Sequence, residues 1–133
     1  MAITHTITTK WSNGSAVKTM QKAITSEQEI NTDISVPGAS TDLHIVLDIT
    51  IARLKSIVLL ATRDMTVCTN AASGGGPDET IPLLAGKPFI WDSVYVAALC
   101  PVPFANDITD LYITLAAGAA ATLSVFGLVD ATP

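Results

Sequence analysis

Between Leu43 and Ala52 every second position holds a large aliphatic residue: Leu43, Ile45, Leu47, Ile49 and Ile51. His44, Val46, Asp48, Thr50 and Ala52 lie between them. Successive side chains of a strand point to opposite faces, so a period of two collects the five aliphatics on one side of a sheet. No helix gathers them on one stripe. The same alternation runs through Ile3, His5, Ile7, Thr9 and Trp11, and again through Gln28, Ile30, Thr32, Ile34 and Val36. It returns in Leu111, Ile113 and Leu115, and then in Leu123 and Val125. Ile45, Leu47, Ile49, Leu111, Ile113, Leu123 and Val125 are the expected core.

Turn chemistry separates these runs. Asn13-Gly14 supplies the positive φ angles of a tight hairpin, and Pro37-Gly38 and Ala85-Gly86-Lys87 mark further turns. Ser73-Gly74-Gly75-Gly76-Pro77-Asp78 is a loop. Residues 16–24 place Val17, Met20 and Ile24 at helical spacing, but the flanking segments favour a strand, and strand is the reading adopted. Residues 53–55 are a short crossing segment, followed by strands over 56–62 and 65–69 that pivot at Arg63-Asp64. Further strands are expected over 81–84 and 88–91. Residues 93–99 are extended and 100–106 irregular. Residues 111–115 and 123–129 form a hairpin turning at Gly118, with Gly127 marking a bulge or a close backbone approach. Eight or nine short strands at this spacing predict an all-β fold, an antiparallel β-sandwich or jelly roll. It occupies residues 1–133 as one domain, with residues 1–11 either an extended N-terminal arm or an edge strand.

Composition sharpens this. Thr, Val and Ile supply 40 of the 133 residues, the β-branched types that suit a half-buried pleated surface. Hydrophobic residues make up 49% and charged ones only 14%, which points to a surface that assembles with others. Seven Lys and Arg stand against twelve Asp and Glu, and the basic residues are scattered along the chain. Nucleic-acid binding is therefore not expected. The longest apolar run, Val94 to Ala105, is interrupted by Pro101 and Pro103 and is too short to span a bilayer, so no membrane partner is expected. Residues 1–20 contain no signal-peptide core, which predicts synthesis in a cytoplasm. Cys68 and Cys100 sit among apolar neighbours and read as buried, reduced thiols.

Candidate chemistry is sparse. The glycine-rich loop lacks the Gly-Lys-Ser/Thr ending of a phosphate cradle, and Pro88 follows Lys87 where a magnesium-ligating hydroxyl would stand. His5 and His44 are the only histidines, too few for a metal cluster without help from the fold. No Gly-x-Ser-x-Gly elbow is present. Asp107 and Asp110 flank a strand start, where Asp is an ordinary turn former. Trp11, Phe89, Trp91, Phe104 and Phe126 could line a sugar surface, although a core of this size claims most of them. The reading is a binding protein without catalytic, cofactor-binding or metal residues. Its polar, β-prone first segment offers a strand edge to a neighbour, with Ile3, His5, Ile7 and Trp11 as the candidate interface.

One resemblance extends this reading. Residues 81–89 (Ile-Pro-Leu-Leu-Ala-Gly-Lys-Pro-Phe), the strand Asp107-Ile108-Thr109-Asp110-Leu111-Tyr112-Ile113-Thr114 and the Ala/Thr segment 119–125 carry it, together with the final Leu128-Val129-Asp130-Ala131-Thr132-Pro133. Over residues 80–133 the chain resembles the small jelly-roll decoration, or cement, proteins of tailed-bacteriophage capsids. The resemblance implies a structural protein without enzymatic activity, located in the virion on the capsid surface. Its partners would be the major capsid protein and itself, as a dimer or trimer, and its role would be to reinforce the head. The alternative is a carbohydrate- or ligand-binding β-sandwich module of a phage fibre or tail. A cupin-like enzyme ranks third, because His5 and His44 do not make its metal cluster.

Overall fold

A computed structural model of the chain describes residues 2–12, 14–26, 28–92 and 104–130. Among the described residues ten strands follow in order: β1 (Ile3–Ser12), β2 (Val17–Ser26), β3 (Gln28–Val36), β4 (Leu43–Ile49), β5 (Leu54–Ala61), β6 (Met65–Thr69), β7 (Thr80–Leu83), β8 (Phe89–Asp92), β9 (Ile108–Leu115) and β10 (Ala121–Val129). A 3-10 turn, Ile51–Arg53, leads into β5. Segment 16–24 is strand, as its flanks suggested. Residues 93–103, expected to be extended and then irregular, lie outside the described residues.

Two four-stranded antiparallel sheets pack face to face, the first ordered β3-β10-β5-β8 and the second β4-β9-β6-β7. Successive strands from β3 to β10 pass from one sheet to the other, apart from the β6–β7 pair, and β10 inserts between β3 and β5. That winding is a jelly roll. β1 and β2 stand outside it as a separate two-stranded ribbon.

The period-two runs do what period two demands. Ile34 and Val36 of β3, Ile57 and Leu59 of β5, and Leu123 and Val125 of β10 face Val67, Ile81, Leu111 and Ile113 of the second sheet across one buried layer. Five of the seven expected core residues are fully buried. Ile45 and Leu47 are only half-buried, because β4 is the edge strand and its register with β9 shifts between Val46 and Ile49. Phe104 closes the core, with the rings of Phe89 and Trp91 edge-on at 6.1 and 5.6 Å.

The expected C-terminal hairpin is not one. β9 and β10 belong to different sheets and share no ladder. Alternation shows which face of a strand is buried but not which strand lies beside it. Here the apolar faces of Leu111–Leu115 and Leu123–Val125 meet across the core instead of side by side. The connecting turn is held by Arg63, whose guanidinium donates to the carbonyls of Ala117 at 3.2 Å and of Ala119. Gly127 behaves as expected: a Cβ there would press on Ile30 and the Ser56 carbonyl at 3.4 Å, and the β10–β5 register shifts one residue later.

Candidate functional site

The ribbon is the feature that the sandwich does not explain. β1 and β2 pair without interruption from Ile3↔Ser26 to Ser12↔Val17, and Gly14 in the turn has the positive φ predicted for it (+92°). Asn13 lies outside the described residues. Directly paired residues share a face. The register therefore places Ile3, His5, Ile7, Thr9 and Trp11 with Ser26, Ile24, Lys22, Met20 and Lys18 on one face, and the threonines Thr4, Thr6 and Thr8 with Thr25, Ala23 and Gln21 on the other. Of the four candidate interface residues, Ile3 and His5 are half-buried, while the side chains of Ile7 and Trp11 lie outside those described.

A two-stranded hairpin is marginally stable alone, so its root needs support. Ser26, buried at the end of β2, donates from Oγ to Asp130 Oδ1 at 2.7 Å, and Lys55 Nζ meets the other oxygen of that carboxylate at 2.9 Å. The Lys55 and Ser26 bonds, in that order of weight, hold the Asp130 carboxyl below its ordinary range. His5 Nε2 bonds Glu29 Oε1 of β3 at 2.7 Å. Between the ribbon and the outer face of the first sheet runs an open groove of about 500 Å³, with Thr4, Thr6 and Thr8 on one side and Asn31, Val58 and Phe126 on the other.

Three of the four edges of the sandwich are blunted in ways that discourage pairing with another chain: Pro82 within β7, a register shift in β4, and a β8 of four residues; the fourth, β3, carries Glu29 and Asp33. The ribbon has none of these devices. Its two strands contain no proline, no carboxylate and no register shift. The fold also reveals a charge division that the linear order hides. Residues 1–26 hold Lys10, Lys18 and Lys22 without any Asp or Glu. The strands of the second sheet and the loops beside them (42–49, 65–83 and 107–115) hold Asp48 and Asp110 in strands and Asp42, Asp78, Glu79 and Asp107 in loops, without any Lys or Arg. Lysines that look scattered along the chain fall on one element once the hairpin forms, Lys18 and Lys22 at register positions of the Ile3 face and Lys10 at one of the threonine face.

The remaining polar cluster lies on the outer face of the second sheet. His44 stacks on Tyr112 (4.7 Å between centroids, 5° between planes) and shares a 2.6 Å hydrogen bond with Asp110 Oδ1. Thr109 Oγ1 donates to Asp110 Oδ2 at 2.7 Å. These bonds, His44 first, lower the Asp110 carboxyl. A nucleophilic triad needs histidine between hydroxyl and carboxylate. Here the carboxylate stands between them, so the order is wrong for proton abstraction from Thr109. Asn70, at φ +66°, stitches the neighbouring loop by accepting from Thr109 N (2.8 Å) and donating to Asp78 Oδ2 (2.6 Å) and the Asp107 carbonyl (2.7 Å). Beside it, burial and the Asp78 charge raise the Glu79 carboxyl. The fold thus separates the two histidines, giving each its own carboxylate. Among the described residues, no three of His, Cys, Asp and Glu converge as a metal cage.

Phe89, Trp91 and Phe104 are core residues, which leaves half-buried Phe126 as the groove's aromatic. Cys68 is buried, with Sγ 3.8 Å from Thr80 Oγ1, and Cys100 lies outside the described residues. Compared with known proteins, the chain matches no protein family, no curated sequence and no solved structure.

Proposed function

We propose that this chain is a structural docking protein that adds to the surface of a larger repeated assembly, the outside of a phage head being the case its sequence resemblance suggests. The observation that carries the reading is the β1–β2 ribbon, an acid-free, proline-free hairpin with continuous ten-residue strands that stands outside both sheets of the sandwich. Open edges and an alternating face are what β-strand addition to a neighbour requires. The low charge of the chain suits binding through many shallow contacts repeated over a shell, where copies joined to one another multiply a modest grip. On this reading its partners are the major capsid protein and further copies of itself. Co-sedimentation with stripped capsids tests it: binding at a fixed number of copies per shell is expected, and recovery of all the protein in the supernatant would refute it.

A second reading rests on the groove. Threonine hydroxyls, Asn31 and the His5–Glu29 pair beside Phe126 and Val58 form a polar wall and an apolar floor of a kind that suits a sugar ring. A glycan array separates the two, since a docking protein ignores sugars and a carbohydrate module does not.

A further inference from the structure

We infer that the β1–β2 ribbon of one copy docks against the β4-β9-β6-β7 sheet of a second copy, lysines to carboxylates. The inference rests on the ribbon's proposed docking role and names one partner for it.

Three observations carry it. The first is the charge division: Lys18 and Lys22 share one register face of an element free of acid, while Asp48 and Asp110 sit on strands of the second sheet and Asp42, Asp78, Glu79 and Asp107 in the loops beside them, with no Lys or Arg in those segments. The second is location. The ribbon is tied to the first sheet and its margins, through His5 to Glu29 on β3 and through Ser26 to Asp130 just after β10. Its groove is floored by β3, β5 and β10. The acidic sheet is the other layer of the sandwich, and packed sheets stand about 10 Å apart with the core between them. A ribbon seated on one layer meets the outer face of the other only on a different molecule.

The third observation is how the carboxylates are used at home. Asp42 accepts from Ser73, Asp78 from Asn70 and Asp107 from the Ile51 N–H, all neutral donors. Asp110 has His44. Asp48 is exposed and has no charged partner among the described residues. Lys18 is likewise exposed. The acidic side also carries a large apolar residue in solvent, Val46 at 69% on β4, next to Asp48 on the same strand face. Contact between unlike surfaces is heterologous, so copies would close into a ring or run on as a filament.

Sedimentation velocity of the full chain tests this. Association is expected, and raising salt from about 20 mM to about 300 mM should weaken it by about tenfold or more. The combined variant Lys18→Glu/Lys22→Glu should be monomeric, as should Asp48→Lys/Asp78→Lys, each with a parental circular dichroism spectrum. Mixing the two should restore association, because the reversed ribbon meets a reversed sheet. A parent that is monomeric at both salts, or a ribbon reversal that leaves association unchanged, overturns the inference. The two claims fail separately. Shell binding without self-association defeats this contact and leaves the docking role, whereas charge-dependent self-association without shell binding does the reverse.

Discussion

Ser26 and Asp130, 104 residues apart, meet in a 2.7 Å hydrogen bond that fixes the root of the ribbon to the end of β10. Ser26 is buried, and Asp130 is itself held by Lys55 of β5, so the carboxylate that anchors the ribbon is fixed within the sandwich. Ser26→Ala removes the donor and leaves the core intact. Amide hydrogen exchange should then quicken across residues 3–25 while the strands of the sandwich keep their parental rates. Parental exchange in the ribbon would show that the root is held by something else.

Gly38 is required by a close approach. A Cβ there would lie 2.0 Å from the Gly118 carbonyl oxygen, where the turn after β3 crosses the turn between β9 and β10. Ala39 N donates to the Ala116 carbonyl at 3.0 Å in the same crossing, so neither backbone can yield freely. Gly38→Ala should cost about 1–3 kcal/mol, as overpacking does. Gly74→Ala, with nothing within 4 Å of the added carbon, should stay within about 0.5 kcal/mol of the parent. Urea denaturation of the two variants makes the comparison, and equal losses would contradict it.

Burial grades the core substitutions. Leu123 is fully buried at the centre of the first sheet, and Leu123→Ala should cost about 2–5 kcal/mol. Leu47 is half-buried on the irregular stretch of an edge strand, so Leu47→Ala should cost about 1 kcal/mol. Thermal or urea unfolding that ranked Leu47 above Leu123 would place the core elsewhere.

The periodicity of residues 43–49 showed which face of β4 is buried, and that part of the fold was legible because side-chain direction is a local property. Pairing is not local. Nothing between Leu111 and Val129 says that the two strands lie in different sheets, since a turn at Gly118 serves a hairpin and a crossover equally well. Leu47 was expected in the core for the same reason: its place on an edge strand is set by β9, more than fifty residues away. The ribbon was half legible. Asn13-Gly14 announced a hairpin turn, but the placing of Lys18 and Lys22 on one face of an acid-free element needed the register. Asn70, with its positive φ and three loop contacts, had no signal beyond being Asn next to a glycine-rich segment.

Acid should loosen the outer face of the second sheet. The His44 bond, then the Thr109 bond, hold the Asp110 carboxyl below its ordinary value of 3.8. A carboxyl depressed in the folded state contributes stability above its unfolded pKa, and that contribution is lost as pH falls through the folded value. Asp110→Asn should therefore be less stable than the parent near neutral pH, and the difference should shrink as pH drops below 3.8. Urea midpoints across that range check it. A constant difference would mean that the bond geometry matters and the charge does not.

The most direct test of the ribbon as docking element is occupancy on stripped shells, measured as copies per particle by quantitative mass spectrometry. The parent is compared with a variant lacking residues 2–25, which keeps Ser26 and the whole sandwich. Near-ultraviolet circular dichroism from the buried Trp91 confirms that the variant is folded. The account predicts that the parent refills the shells and raises the temperature at which they release DNA, while the folded variant does neither. Equal occupancy by the two would contradict it.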